Sequence, residues 1–529
     1  MIPLRRALLS GVLAAAAGLA AGELAAGAIR GAASPVVPPG QILIDHVPLG
    51  VKEWAIRNFG TADKAVLVLG ALLVLVGLGL LVGRLVASGR WRTALAVQGV
   101  TAVLGVAAVL DRPSPSFGKV MPPLVASAVA ATVLWWLVRR PSGRPEASAV
   151  GPAELGRVDQ SSESALVPSR VPVMGLDRRT VITSTVAVVS GVAVTGGLGR
   201  WLARRHEIGA ERATIALPAA SDTAAPLVSG VDFGLAGVDP FVTTTAGFYR
   251  IDTAIVVPQI SRDGWKLKVH GMVDHELSIS YDELVSRPIV ERYLTLSCVS
   301  NEVGGDLVGN ALFSGVRLAD VLAEAGIDPA ATQLASRSAD GWTCGTPMSA
   351  VTDGRDALLA VAMNGEPLSA KHGYPVRMVV PGLYGYVSAT KWLTELEATT
   401  WEAFQGYWVP RGWSALGPVK VMSRIDTPKA RRQIPAGVTP IAGLAWAMHR
   451  GIASVEVKID GADWIPAVLA DAPSADTWRQ WRHDWDATPG DHVIEVRATT
   501  LDGEVQTVDV ADVAPDGATG HHTIRVTVA

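Results

Sequence analysis

Cysteine is nearly absent. The 529 residues contain two, Cys298 and Cys344. That is too few for a disulfide framework, a cysteine-rich zinc site or a cysteine-ligated iron–sulfur cluster. Net charge is nearly absent as well: 46 lysines and arginines face 49 aspartates and glutamates, so nothing supports a nucleic-acid partner. The apolar runs of the first two hundred residues lack histidine, which removes the axial ligands for a bis-histidine haem inside them. They also hold almost no ionisable residue, which favours anchoring over transport or redox work.

What is present is apolar surface, 49% of all residues, unevenly spread. Four uncharged runs, Ala65–Gly83, Thr93–Leu110, Val120–Val138 and Thr180–Gly199, are each long enough to cross a hydrocarbon core of about 30 Å. A fifth run, Ala7–Ile29, is rich in Ala and Gly and contains Glu23. It reads either as a retained span or as a cleaved signal behind Arg5 and Arg6, and the retained span is the favoured reading. Glycine and alanine within these runs suit close helix packing and membrane-lipid surroundings.

Basic residues orient the spans. Arg5 and Arg6 precede the first, and Arg84, Arg90 and Arg92 separate the second from the third. Arg139, Arg140, Arg144, Arg157, Arg170, Arg178 and Arg179 separate the fourth from the fifth. Placing these on the cytoplasmic side puts everything after about residue 205 outside the cytoplasm, although Arg200, Arg204 and Arg205 run against that bias. Residues 1–140 are thus expected to form a membrane region with four spans. Residues 141–179, rich in Pro, Ser, Gly and Glu, form a flexible linker, and residues 180–205 form the last span. Arg178 and Arg179 fit ordinary positive-inside flanking and a twin-arginine export signal equally well.

The most informative stretch is RYLTLSCVSNEVGG, residues 292–305. Residues 292–299 read as a strand, so Cys298 lies near its end, where a thiolate can reach a soft or intermediate metal. Taken alone, the stretch favours a buried strand cysteine. Two further segments carry chemistry. FYRID, residues 248–252, offers Arg250 for an oxyanion or a phosphate. HGYPVRMVVPGLYGYVSATKW, residues 372–392, reads as loop, buried strand, Pro-Gly turn and second strand. It gathers His372, Arg377 and Lys391 with permissive glycines Gly382 and Gly385, a setting that suits a phosphate-bearing cofactor. Nearby, Trp265–Val273 reads as a strand, Tyr281–Ser286 as a short helix and Val316–Ala325 as a helix with one buried face.

LTLSCVSNEVGG, GVRLADVL and MNGEPLSAKHGYPVRMVVPGLYGYVSATKWL, in that order, resemble the molybdenum-pterin domain of the sulfite oxidase family across roughly residues 230–415. The resemblance implies an α+β molybdopterin domain over 206–415 with Cys298 as the protein ligand of molybdenum and a molybdenum-molybdopterin cofactor. It implies cofactor contacts from Tyr249, Arg250, Asp252, Asp340, His372, Arg377, Ala389, Thr390 and Lys391. Cys298, Arg250 and Trp342 are the catalytic candidates. Asp252 stands where the family has histidine, and Asn301, Glu302 and Val303 stand where eukaryotic sulfite oxidases have Asn-Arg-Arg. Trp342 stands in the place of the active-site tyrosine. These departures weaken sulfite as substrate and favour a neutral oxo acceptor such as an organic sulfoxide.

From about Leu416, alternating strands such as IASVEVKID and HHTIRVTVA predict an immunoglobulin-like β-sandwich over 416–529, resembling the family's dimerisation domain. Trp478, Trp481 and Trp485 read as packing. The overall expectation is an α-helical membrane region, an α+β sulfite oxidase-type molybdopterin domain and a C-terminal sandwich. The chain would be a multi-pass, extracytoplasmic oxidoreductase acting on a small oxo substrate, with an electron-transfer partner in the membrane or in solution and homodimerisation through the sandwich. The competing readings are a methionine sulfoxide reductase fed by membrane quinol and a non-catalytic binding scaffold.

Overall fold

A computed structural model of the chain describes residues 2–29, 31–59, 62–112, 117–139, 178–205 and 207–529. The expected linker, with Arg140, Arg144, Arg157 and Arg170, lies outside the described residues; Arg178 and Arg179 open a helix. The chain divides into two units, one holding most of residues 1–206 and the other most of residues 207–529.

The first unit is helical. Its elements are α1 (Leu4–Ala28), α2 (Val37–His46), α3 (Leu49–Phe59), α4 (Asp63–Ala87), α5 (Trp91–Leu110), α6 (Phe117–Arg139) and α7 (Arg178–Arg205). Residues 46–54, within α2 and α3, cluster with the second unit. Five of these helices, α1, α4, α5, α6 and α7, are long and apolar enough to cross a membrane. α2 and α3 carry no long apolar run, and the sequence reading passed over them. α1 packs against three others through its glycines. A Cβ at Gly11 would sit 2.0 Å from the Gly79 carbonyl oxygen of α4, and one at Gly18 would sit 2.4 Å from the Ala126 oxygen of α6. At Gly27 it would meet the Gly199 oxygen of α7 at 2.2 Å. Backbone-to-backbone contact of this kind needs small residues on both sides, which accounts for the Ala/Gly composition of the first run.

The second unit begins with two sheets. One has strand order β3 (Ile289–Ser297), β4 (Val308–Arg317), β7 (Leu358–Met363), β8 (Glu366–Pro367), with β9 (Arg377–Val379) also on β7. The other runs β2 (Leu277–Ser280), β1 (Lys266–Gly271), β10 (Leu393–Thr399), β5 (Gln333–Ser338), β6 (Thr343–Pro347). Leu267, Leu334, Leu396, Leu359 and Met378 from the two sheets share one core. The helix Leu318–Ala325 buries Leu318, Val321, Leu322 and Ala325 in it, the i, i+3, i+4, i+7 spacing of one helical face. It starts two residues later than expected, because Val316 and Arg317 still pair with Leu359 and Leu358 of β7.

After residue 420 two more sheets follow. β11 (Met422–Thr427), β13 (Gly437–Trp446), β17 (Arg479–Ala487) and β16 (Val468–Leu469) form one. β12 (Gln433–Ile434), β19 (His522–Val528), β18 (Gly490–Thr500), β14 (Ile452–Ile459) and β15 (Ile465–Pro466) form the other. Ile441, Trp481, Val457, Val496 and Ile524 fill the core they share. Trp478 is buried apart from that core, its indole N–H donating to the Phe241 carbonyl at 2.9 Å. All three tryptophans of this run are buried.

Candidate active site

β3 and β4 form an antiparallel hairpin, with Ser297 opposite Val308. The loop between them starts at Cys298, whose N–H donates to the Leu307 carbonyl at 2.9 Å. Inside the loop, Asn301 Oδ1 accepts from Leu307 N–H at 2.8 Å, and Asn301 N–H donates to Cys298 O. Cys298 is 9% exposed, and its sulfur accepts from Ser300 N–H at 3.4 Å. Burial pushes its thiol up, while the Ser300 amide and the Lys391 charge oppose that shift. Cys344 is fully buried in the core, and both thiols are free.

The second cluster departs from the expected two strands. β9 is followed by a turn at Pro381–Gly382 and then by a short helical turn, Gly385–Ser388; the chain becomes extended again only at β10. Ser388 Oγ donates toward the carbonyls of Leu383 and Tyr384, and Ala389 N–H closes on Gly385 O. Local side-chain bonding to the backbone wins here over β propensity. Thr390 is fully buried and shares a 2.6 Å hydrogen bond with Ser336.

Gly373, which the sequence reading did not single out, brings the cations together. Its φ is +104°, and a Cβ there would lie 3.0 Å from Lys391 Cα and 3.1 Å from Arg377 Cβ. Only glycine fits a left-handed backbone at so close an approach. Beside it, His372 donates from Nε2 to the Thr245 carbonyl at 2.9 Å. Burial, then the Arg377 charge, pushes His372 down to about 4, so the ring is neutral. Among the described residues, buried Arg377 has its Nε unpartnered and a single hydrogen bond, to His372 O, 3.4 Å long. Burial pushes its guanidinium down to about 10.

Lys391 Nζ lies 2.6 Å from Asp252, and the same carboxylate takes Arg250 Nε at 2.7 Å and Nη2 at 3.1 Å. Asp252 thus sits between two cations. Burial pushes Lys391 down to about 8, with Asp252 opposing. Asp340 feels the charges of both Asp252 and Lys391, and its own burial pushes its carboxyl up. Cys298, Arg250, Asp252, Asp340, His372, Arg377 and Lys391 are therefore linked through contacts or mutual electrostatics.

Trp342 behaves differently. It lies in the β5–β6 turn, its N–H bonded to Asp340 Oδ1 and its carbonyl to Ser338 N–H. Its ring is half-buried against the main core. Among the described contacts none joins it to Cys298. Two tyrosines would feel a thiolate at Cys298. Burial and Cys298 push Tyr249 up, and burial chiefly pushes Tyr384 up to about 12. The Tyr249 hydroxyl and the Ser297 carbonyl would both lie within 3.9 Å of a Cβ at Gly385. Tyr384 was missed because its neighbours in sequence carry no charge; the PGLYGY glycines were the one signal pointing to it.

A model of the oxidoreductase molybdopterin binding domain matches residues 254–408. The uncharacterized oxidoreductase YuiH of Bacillus subtilis is 33% identical over 180 residues, which cover 34% of this chain and 87% of YuiH. Human mitochondrial sulfite oxidase is 30% identical over 273 residues, 43% of this chain, and the match spans 50% of the human protein. Among solved structures, the sulfane dehydrogenase SoxCD from Paracoccus pantotrophus superposes with a TM-score of 0.47 at 24% identity, over 54% of this chain and 81% of that one. The class is an oxidoreductase dependent on a molybdenum-molybdopterin cofactor. The chain belongs to the sulfite oxidase-type molybdopterin oxidoreductases, as its motifs led one to expect.

Proposed function

We propose that the chain is a membrane-anchored enzyme whose redox domain lies outside the cytoplasm and moves an oxygen atom to or from a small sulfur-containing or other oxo substrate. The observation that carries the site assignment is Arg377, a buried guanidinium without an anion among its described contacts. Burying an unpaired cation is costly, and a phosphate beside His372 and Gly373 would meet that need. Cys298 supplies a thiol with little exposure, a donor type that suits molybdenum's softer valences. These residues fit the cofactor. Arg377 and Lys391 would hold its phosphate end, Thr390 and Ala389 would line its approach, and Cys298 would ligate the metal. When bound, the cofactor supplies two-electron oxygen-atom exchange; the protein supplies orientation and electrostatics.

The substrate reading rests on Asp252. Arg250, the nearest candidate for orienting an oxyanion, already spends Nε and Nη2 on that carboxylate, and Lys391 is paired with it as well. With Asp252 occupying both cations, neither is free to clamp an oxyanion, which favours an uncharged sulfoxide over sulfite. Tyr249 and Tyr384, both protonated at neutral pH and both electrostatically coupled to Cys298, would be candidate hydroxyl donors to the substrate. The five apolar helices and the distribution of arginines support the membrane anchor and the outward placement of the enzyme domain. The two C-terminal sheets support an immunoglobulin-like, dimerisation-type domain.

Molybdenum per protein, measured on material from a host that makes the pterin, tests the assignment. A ratio near one that is lost in Cys298→Ser is the expected result; metal-free folded protein sinks it and turns attention to a binding scaffold. Steady-state assays with sulfite and with methionine sulfoxide then separate the substrates, and strong sulfite turnover rules out the sulfoxide reading.

A further inference from the structure

We propose that Arg424, on strand β11 of the C-terminal sheets, is a positioning residue for Cys298. The inference rests on Cys298 being the working thiol.

Arg424 is 4% exposed. Its Nε donates to Asp426 at 2.6 Å, its Nη2 to Asp239 at 2.6 Å, and its Nη1 to the carbonyl of Gly305 at 2.8 Å. Gly305 lies in the loop that begins at Cys298 and closes at Leu307. A second contact from the same sheets meets the loop one residue earlier. His522 accepts from Ile425 N–H through Nδ1 at 2.9 Å, and its Nε2 would lie 2.4 Å from a Cβ at Gly304. Gly304, at φ +78°, is the gap into which that imidazole fits.

The loop has its own bonds, Cys298 N–H to Leu307 O and Gly305 N–H to Glu302 O. These close it locally but do not fix where it sits. The strand carrying it is gripped from the same side, since Thr295 N–H donates to Asp476 O and Trp478 N–H to Thr295 Oγ1 at 2.8 Å. Arg424 is the charged member of this grip. Asp426 and Asp239 orient its planar fork, leaving one arm for a carbonyl seven residues from the thiol. The C-terminal sheets are therefore part of the cysteine site as well as a folded neighbour of it.

The chain's two cysteines provide the test. Cofactor-free full-length protein in detergent is treated with iodoacetamide, and labelling of each cysteine is followed by mass spectrometry. Cys344, deep in the core, reports unfolding of the domain; Cys298 reports its loop. A hydrogen bond from a charged donor lost at the loop raises local opening by about tenfold. Arg424→Met is expected to accelerate Cys298 labelling by that factor while Cys344 stays at the wild-type rate. Should Arg424→Met fail to fold because Asp426 is left unpaired, Arg424→Lys keeps the charge and gives up the fork, and the same selective rise is expected. Cys298 labelling at the wild-type rate, or a parallel rise at both cysteines, overturns the proposal. A Cys298→Ser protein that still carries one molybdenum would remove the ligand role and leave the labelling result intact.

Discussion

Asp252 lies against both Lys391 and Arg250, at 2.6 and 2.7 Å, with its own side chain 4% exposed. One buried carboxylate holds two cations, and one of them, Lys391, acts electrostatically on Cys298 at the start of the loop after β3. Removing one partner of a buried pair leaves the other uncompensated, a loss of about 3–5 kcal/mol. Asp252→Asn should lower the thermal midpoint of the cofactor-free protein sharply. Adding Lys391→Met should recover much of the loss, and a double variant no more stable than the single one would contradict the pairing.

The same lysine sets an alkaline response. Its pKa falls from 10.5 to about 8 on folding, so between these values the unfolded chain binds the extra proton. Stability contributed by this group therefore rises with pH from about 8 to 10.5, by on the order of 3 kcal/mol. Lys391→Met should flatten the dependence of the unfolding midpoint across that window.

Two histidines set the acid response. Burial holds His372 and His522 at about 4 against 6.5 unfolded. Their stability contribution is complete above 6.5 and is lost as pH falls toward 4, on the order of 3 kcal/mol for each. His372→Gln and His522→Gln should each shift the acid-unfolding midpoint downward, measured by fluorescence of the tryptophans in the second unit.

Arg377→Met separates cofactor holding from folding. Its Nε has no partner among the described residues, so replacement by an apolar side chain relieves a buried charge. The cofactor-free protein should be as stable as wild type or up to about 2 kcal/mol more so, while molybdenum content falls severalfold. A variant that loses stability and keeps its metal would show a structural arginine.

Glycine contacts in the helical unit give a paired prediction. A Cβ at Gly83 would sit 2.3 Å from the Ala7 oxygen, whereas nothing lies within 4 Å of one at Gly77. Gly83→Val should destabilise α1–α4 packing by about 1–3 kcal/mol, and Gly77→Ala should be neutral or slightly stabilising. Thermal melts of the detergent-solubilised protein check both.

The sequence alone determined whatever depends on neighbours along the chain. The apolar runs became long helices because their length and composition permit little else. The spacing of Leu318, Val321, Leu322 and Ala325 produced a helix with one buried face, and alternation after residue 420 produced paired strands. Cys298 could be placed at a strand end because RYLTLS is extended by its own composition. Tertiary structure decided everything carried by distant pairs. Gly373 let Arg377 and Lys391 approach one another beside His372. Tyr249 and Tyr384 came close enough to Cys298 to feel a charge on its sulfur. Arg424 reached Gly305 across 119 positions of chain. Periodicity records which face of an element is buried, but it holds no record of which other element will cover that face, and a buried charge finds its partner only when two such faces meet.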